Sequence, residues 1–128
     1  MVGRANRSRK SYGLTMARLE AVPRPTKKSE YKIYFDSRSA ERGWSDLLAT
    51  RRSALADAWE FLTKTPLETT PLSYRLKGEL AIVIRNGTAH ECWQLKINAK
   101  DGVRIWYYVA NDEVQLIRVE TKHPNETK

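Results

Sequence analysis

The chain of 128 residues is 41% hydrophobic and carries a net charge of +8. This length suffices for one compact domain with a short extension, and the four Trp and six Tyr supply a true core, so wholesale disorder is excluded. No apolar run approaches the ~20 residues of a membrane span, and the N-terminus lacks an apolar signal core. We therefore expect a cytoplasmic protein without a membrane partner. The single cysteine, Cys92, excludes an internal disulfide.

Positive charge is concentrated at the N-terminus. Residues 1–30 hold eight of the 23 Lys and Arg residues but only two of the 15 Asp and Glu residues. We predict a basic, largely disordered arm over residues 1–30 and a folded domain over residues 31–128. The arm either tethers nucleic acid electrostatically or is a solvated extension without a specific role. Translation starting at Met16 would shorten it.

A strand and a helix are predicted to open the domain. The run Tyr31–Asp36 alternates and is rich in aromatic residues, as a strand should be. Ser37 or Ser39 can then cap a helix over Ala40–Ala49. Its apolar face is formed by Trp44, Leu47 and Leu48.

A second amphipathic helix is predicted directly afterwards. Thr50 is the expected cap, and the helix runs to about Lys64 because Pro66 cannot continue it. Its apolar stripe comprises Leu55, Ala58, Trp59 and Leu62. Trp44 and Trp59 are interpreted as core residues rather than as platforms for base stacking.

The remainder of the chain indicates antiparallel strands. Asn86-Gly87 is a strong hairpin signal and predicts that Leu80–Arg85 pairs with Ala89–Ile97. Within Trp93–Asn125, three apolar runs are separated by turn residues, which indicates a meander. The element order predicts an α+β fold in which an N-terminal strand and a helical hairpin pack on a twisted antiparallel sheet.

The candidate chemistry is cationic rather than metal-based. The sequence has no glycine-rich phosphate loop, no metal-ligand spacing and no nucleophile elbow, so we expect no cofactor and no metal. Period two puts Gln94 and Lys96 on the polar face of their strand, while Arg104 and Trp106 share a face of the next. If the apolar faces contact the helices, Lys96, Gln94 and Arg104 converge on the exposed face. A Lys beside an Arg can clamp a phosphate.

A proton-transferring group is expected at the end of the last strand. His123 follows that strand directly, and an imidazole near Arg104 can act as a general acid or base near neutral pH. RNA carries its own nucleophile, the 2′-hydroxyl, so such a site needs only proton transfer and cationic stabilisation. Alternatively, Lys96 and Arg104 are simply solvated and His123 is an inert residue near the terminus.

These runs, in this order, resemble the RelE/ParE superfamily of toxins from type II toxin–antitoxin modules. The resemblance covers about Tyr31 to Lys128 and rests on a strand and helical hairpin followed by LKG, WQLKI, VRIWYYV and a terminal histidine. Members most similar in pattern are the RelE, YoeB and HigB ribonucleases. The resemblance implies a toxin that cleaves mRNA, on the ribosome or free of it.

The resemblance also implies roles for particular residues. Arg104, Lys96 and His123 match the positions of the family's catalytic set, and Lys77 lies where members often carry a basic residue that faces RNA. Gln94, Trp106 and Lys122 are the other expected RNA-binding residues, and Tyr107 matches a strand tyrosine although its parity favours the core.

Two departures from the family pattern concern the base and a cation. Tyr74 stands where YoeB-like members place a glutamate base, and Gln94 replaces a lysine of RelE-like members. Glu91 could substitute as the base only if the strand parity given above is wrong.

The implied partners are a cognate antitoxin, mRNA and the ribosome, with DNA contacted only through the antitoxin complex. Two alternatives stay open at this point. One is a ParE-like toxin that poisons gyrase without nuclease activity, and the other is a non-catalytic nucleic-acid-binding protein.

Overall fold

Ser37 begins the first helix as predicted. In the computed structural model, which describes residues 20–25, 27–98, 100 and 102–121, its hydroxyl accepts a hydrogen bond of 3.0 Å from the backbone N–H of Ala40. Helix α1 spans Arg38–Thr50 and helix α2 spans Arg52–Lys64. No helix in the described ranges has the length and hydropathy needed to cross a membrane.

The predicted cap of the second helix is wrong. The Thr50 hydroxyl donates backwards to the carbonyl of Asp46 at 2.8 Å and therefore belongs to the last turn of α1. Arg51 occupies the N-cap position of α2 and makes no side-chain capping bond. Thr50 is the last residue of α1 and precedes the N-cap of α2 by one position, so it does not cap the second helix.

Seven strands are described: β1 (Lys32–Phe35), β2 (Ser73–Arg75), β3 (Ile82–Arg85), β4 (Thr88–Glu91), β5 (Trp93–Lys96), β6 (Arg104–Ala110) and β7 (Glu113–Glu120). Five of them form one sheet in the order β1-β7-β6-β5-β2. β1 runs parallel to β7, and the other pairs are antiparallel. The α+β architecture is thus confirmed, but the sheet is mixed rather than purely antiparallel.

The predicted hairpin forms at Asn86-Gly87. Both turn residues have positive φ, 53° for Asn86 and 79° for Gly87, as a type I′ turn requires. The predicted long strand Ala89–Ile97 is interrupted at Cys92, whose N–H bonds to the carbonyl of Ala81 beside β3 at 2.9 Å and whose carbonyl accepts from the N–H of Leu76 beside β2 at 2.9 Å. β3 and β4 consequently form a separate two-stranded sheet, and only β5 continues into the main sheet.

The core lies between the helices and one face of the five-stranded sheet. Its buried members are Ala40, Leu47, Leu55, Ala58, Leu62, Trp93, Leu95, Val103, Ile105, Tyr107, Val114, Leu116 and Val119. Trp44 packs against this cluster, as predicted. Trp59 does not: it is half-buried, and the guanidinium of Arg24 lies 4.8 Å from its ring centre. The prediction that Trp59 is a core residue is therefore wrong.

The end of the predicted N-terminal arm lies against α2. Arg24 forms an ion pair of 3.2 Å with the buried Glu30. The N–H of Tyr31 then bonds to the carbonyl of Thr63 at 2.8 Å. Residues 1–19 lie outside the described residues, so the predicted disorder of the arm is not addressed there.

Candidate active site

The sheet face opposite the helices carries a connected group of polar and aromatic side chains. Strand register defines one row, in which Tyr74 is opposite Gln94, Gln94 is opposite Trp106, and Trp106 is opposite Arg118. The next row places Lys96 opposite Arg104 and Arg104 opposite Glu120. We call this group the polar face; it comprises Tyr74, Gln94, Lys96, Arg104, Trp106, Arg118 and Glu120.

Gln94 is the buried centre of the polar face, with 4% of its surface exposed. Its side-chain nitrogen donates to the Tyr74 hydroxyl at 2.7 Å. Its side-chain oxygen accepts a hydrogen bond of 2.6 Å from the indole nitrogen of Trp106 and a longer one of 3.5 Å from Arg104. This amide thus links three side chains from two neighbouring strands.

The cations of the polar face surround this amide. The guanidinium of Arg104 is held by a hydrogen bond of 3.1 Å from its Nε to the carbonyl of Gly102. The ammonium of Lys96 lies 5.7 Å from the ring centre of Tyr74. Among the described residues neither Lys96 nor Arg104 forms an ion pair, so both charges can serve an anionic ligand.

One carboxylate also lies on the polar face. Glu120 forms an ion pair with Arg118, whose guanidinium carbon is 5.8 Å from the ring centre of Trp106. Glu120 neutralises Arg118 locally and leaves the positive charges of Lys96 and Arg104 in excess. The polar face therefore favours an anion.

The β3–β4 hairpin covers the other end of this sheet face. His90 stacks on Tyr108 with ring centres 4.6 Å apart, and Arg85 bonds to Asp36 at 2.7 Å. The Tyr108 hydroxyl reaches the same carboxylate at 3.4 Å. Burial raises the pKa of Tyr108, and the hydrogen bond to Asp36 raises the pKa of Arg85. These contacts fix the hairpin as one wall of the polar face.

The structure brings four of the predicted site residues together: Lys96, Arg104, Gln94 and Trp106 all belong to the polar face. Lys77 is exposed and lines a separate groove of about 210 Å³ beside Arg75 and Glu91. Lys122 and His123 lie outside the described residues.

Two further predictions from strand parity can be compared with the structure. Tyr107 is fully buried and donates to the carbonyl of Pro66 at 2.6 Å, which confirms its assignment to the core. Glu91 is exposed on the hairpin and forms an ion pair of 2.8 Å with Arg75.

Sequence reasoning placed Tyr74 at the position of a glutamate base but did not predict its contact with Gln94, and it missed Arg118 and Glu120 altogether. Strict alternation from Val114 and Leu116 would turn Arg118 towards the helices. A bulge in β7 opposite Trp106 and Tyr107 instead reverses the alternation of buried and exposed side chains beyond it. Arg118 is therefore exposed and Val119 is buried. The consecutive apolar pair Leu116-Ile117 was the available signal for this bulge.

Known proteins resemble this chain in fold but not detectably in sequence. A scan of protein-family models and a search of curated proteins found no match to the sequence. Among solved structures, the fold is similar to a copper-bound mutant toxin from Helicobacter pylori, with a TM-score of 0.52, 20% identity, and coverage of 74% of this chain and 97% of that one. It is also similar to the YoeB dimer from Staphylococcus aureus, with a TM-score of 0.51, 16% identity, and coverage of 70% and 94%. The chain therefore has the fold of the RelE-like toxins.

Proposed function

We propose that this protein is the toxin of a type II toxin–antitoxin module and acts as an endoribonuclease on mRNA. The observation that carries the proposal is the pairing of Lys96 with Arg104 on an open sheet face, with no ion-pair partner for either among the described residues. The RelE-like fold supports the toxin role, since the structures similar to it are of RelE-family toxins.

The proposed reaction uses the substrate's own nucleophile. The 2′-hydroxyl attacks the adjacent phosphorus and loses its proton, the bond to the 5′-oxygen breaks, and a proton is delivered to that oxygen. The products are a 2′,3′-cyclic phosphate and a 5′-hydroxyl. Negative charge grows on the phosphate oxygens during attack, and in this proposal Arg104 and Lys96 stabilise it.

In this proposal, proton transfer falls to His123, which follows Lys122 directly after the end of β7. Arg104 and Glu120 are in register at that end of the sheet. A chain leaving β7 there starts beside the cations of the polar face. Lys122 and Lys77 are proposed to contact the RNA backbone outside the reacting phosphate, and Trp106 to contact a base.

The proposed partners are mRNA, the ribosome and a cognate antitoxin that covers the polar face. A cation pair that is open to solvent is a natural target for an acidic segment of such an inhibitor. DNA would be contacted only through the antitoxin complex.

RNA cleavage by the purified chain tests the proposal. We expect cleavage in the presence of a chelator, with 2′,3′-cyclic phosphate ends, and none when a deoxynucleotide replaces the residue at the cleavage site. Arg104→Ala should lower the rate by about a hundredfold to a thousandfold, the usual effect of removing one donor that stabilises developing charge. Arg42→Ala is the matched control because Arg42 is exposed on α1, on the side of the sheet away from the polar face.

Expression in cells without the antitoxin separates the alternatives. Arrested translation with cut mRNA supports the nuclease, whereas DNA damage with intact mRNA would identify a gyrase poison instead. Harmless expression with salt-sensitive nucleic-acid binding would leave only a binding protein, because phosphate contacts weaken steeply with salt. Equal toxicity of Arg104→Ala and the unmodified chain would reject the site.

A further inference from the structure

The hydrogen-bond directions on the polar face are determined by the chemistry of its donors. An indole N–H can only donate, so the Gln94 atom 2.6 Å from the Trp106 nitrogen is the amide oxygen. The guanidinium of Arg104, 3.5 Å from the same atom, can also only donate. Two obligatory donors therefore fix the orientation of the Gln94 amide.

This orientation has a consequence for Tyr74. The amide nitrogen of Gln94 lies 2.7 Å from the Tyr74 oxygen, and an amide NH₂ group cannot accept a hydrogen bond. The Tyr74 oxygen must therefore accept, and its own proton takes no part in this bond. Among the described residues, none accepts that proton.

We propose that Tyr74 is a phosphate-binding residue whose hydroxyl donates to a non-bridging phosphate oxygen held by Lys96 and Arg104. Gln94 is the positioning residue, because its amide N–H donates to the Tyr74 oxygen and leaves the hydroxyl proton of Tyr74 to donate to the ligand. The proposal rests on the proposed function in that the phosphate belongs to RNA. It deepens that function by adding a neutral donor to the two cations.

The surroundings of Tyr74 suit this role. Lys96 places its ammonium 5.7 Å from the Tyr74 ring centre, so a phosphate that contacts Lys96 approaches the phenol as well. Arg104 contacts the same amide that holds Tyr74. A hydrogen bond from a neutral hydroxyl to an anionic oxygen is stronger than one between neutral groups.

Binding of inorganic phosphate to the full chain tests the proposal independently of RNA cleavage. The NMR signal of the Trp106 indole N–H reports on binding because that group shares Gln94 with Tyr74. We expect Tyr74→Phe to weaken phosphate binding by about tenfold to a hundredfold, the usual effect of losing one hydrogen bond to a charged group. Tyr34→Phe is the control, because Tyr34 is 45% exposed on an edge strand.

A double-mutant cycle tests the positioning role of Gln94. In Gln94→Glu the carboxylate still accepts from Trp106 and Arg104 but offers no donor, so the Tyr74 hydroxyl turns inward to donate to it. The added charge weakens phosphate binding by itself, and the cycle removes this effect. We expect Tyr74→Phe to have no further effect in the Gln94→Glu background. An equal effect in both backgrounds would overturn the positioning role.

The failures of the two proposals are distinguishable. A chain that binds phosphate through the Tyr74 hydroxyl but does not cut RNA refutes the nuclease and upholds the phosphate-binding residue. A chain that cuts RNA, and whose Tyr74→Phe variant binds phosphate and cuts RNA at unchanged levels, refutes the role of Tyr74 and upholds the nuclease.

Discussion

The buried hydroxyl of Tyr107 should make the fold sensitive to alkaline pH. This hydroxyl donates to the carbonyl of Pro66 at 2.6 Å and lies 3.5 Å from the Ser73 hydroxyl. Burial raises the pKa of Tyr107 from 10.0 to about 12. Below pH 10 the phenol is neutral in the folded and unfolded chains, so it contributes no pH dependence there.

Between pH 10 and pH 12 only the unfolded chain ionises at this residue. The free energy of unfolding should therefore fall as pH rises through this window, by about 1.4 kcal/mol for each unit of pKa difference, or roughly 2–3 kcal/mol in all. Tyr107→Phe lacks this loss. At neutral pH, however, the variant should be less stable by about 1–3 kcal/mol, because the carbonyl of Pro66 is left buried without a donor.

Urea unfolding measured at a series of pH values gives both quantities. The stability curves of the unmodified chain and of Tyr107→Phe should be separated at pH 7 and should approach each other by pH 12. Tyr34→Phe serves as the control, because its hydroxyl is on an exposed side chain. Parallel curves for the unmodified chain and Tyr107→Phe would refute the argument that the buried phenol resists ionisation.

Two further predictions concern the helix contacts. A methyl group added at Gly43 would meet the carbonyl oxygen of Val119 at 2.4 Å. Because the backbone at Val119 cannot move aside, Gly43→Ala should lower the free energy of unfolding by about 1–3 kcal/mol, measured by urea unfolding. The clash should outweigh the helix propensity of Ala, which favours the variant by ~1 kcal/mol. A stabilised variant would contradict this contact. The hydrogen bond from Arg24 holds the pKa of Glu30 below its ordinary value of 4.5. The ion pair therefore stabilises the fold fully above pH 4.5, and this stabilisation is lost as the pH falls from 4.5 through the lowered pKa. The NMR signal of the Trp59 indole should then shift as Arg24 leaves its ring, and Glu30→Gln should show the released signal already at neutral pH.

Local patterns were sufficient to predict the helices and the hairpin. The stripe of Leu55, Ala58 and Leu62 faces the core, and Asn86-Gly87 forms the turn, because both signals depend on residues close together in the chain. The parallel pairing of β1 with β7 could not be predicted in the same way, since nothing in Tyr31–Asp36 specifies a partner far along the chain. The interruption at Cys92 carries no Gly or Pro signal, because it is set by the bond to Ala81.

The candidate site was predictable from the sequence on those strands where side chains alternate strictly between the two faces of the sheet. Lys96 and Arg104 occupy the face that parity assigned to them. Arg118 escaped detection because a bulge changes the phase of β7. Tyr74 could be placed beside Gln94 only after the register of β2 against β5 was known, and that register depends on tertiary structure.

The position of β7 has a consequence during synthesis. This strand lies between β1 and β6 and packs against α1, so it joins the first described strand to the rest of the sheet. A nascent chain that has not yet extruded Glu113–Glu120 cannot complete the sheet, and Arg118 and Glu120 are still missing from it. Until Glu113–Glu120 has emerged, β1 has no partner strand in the main sheet, so the parallel edge of this sheet forms only after β7 has been synthesised.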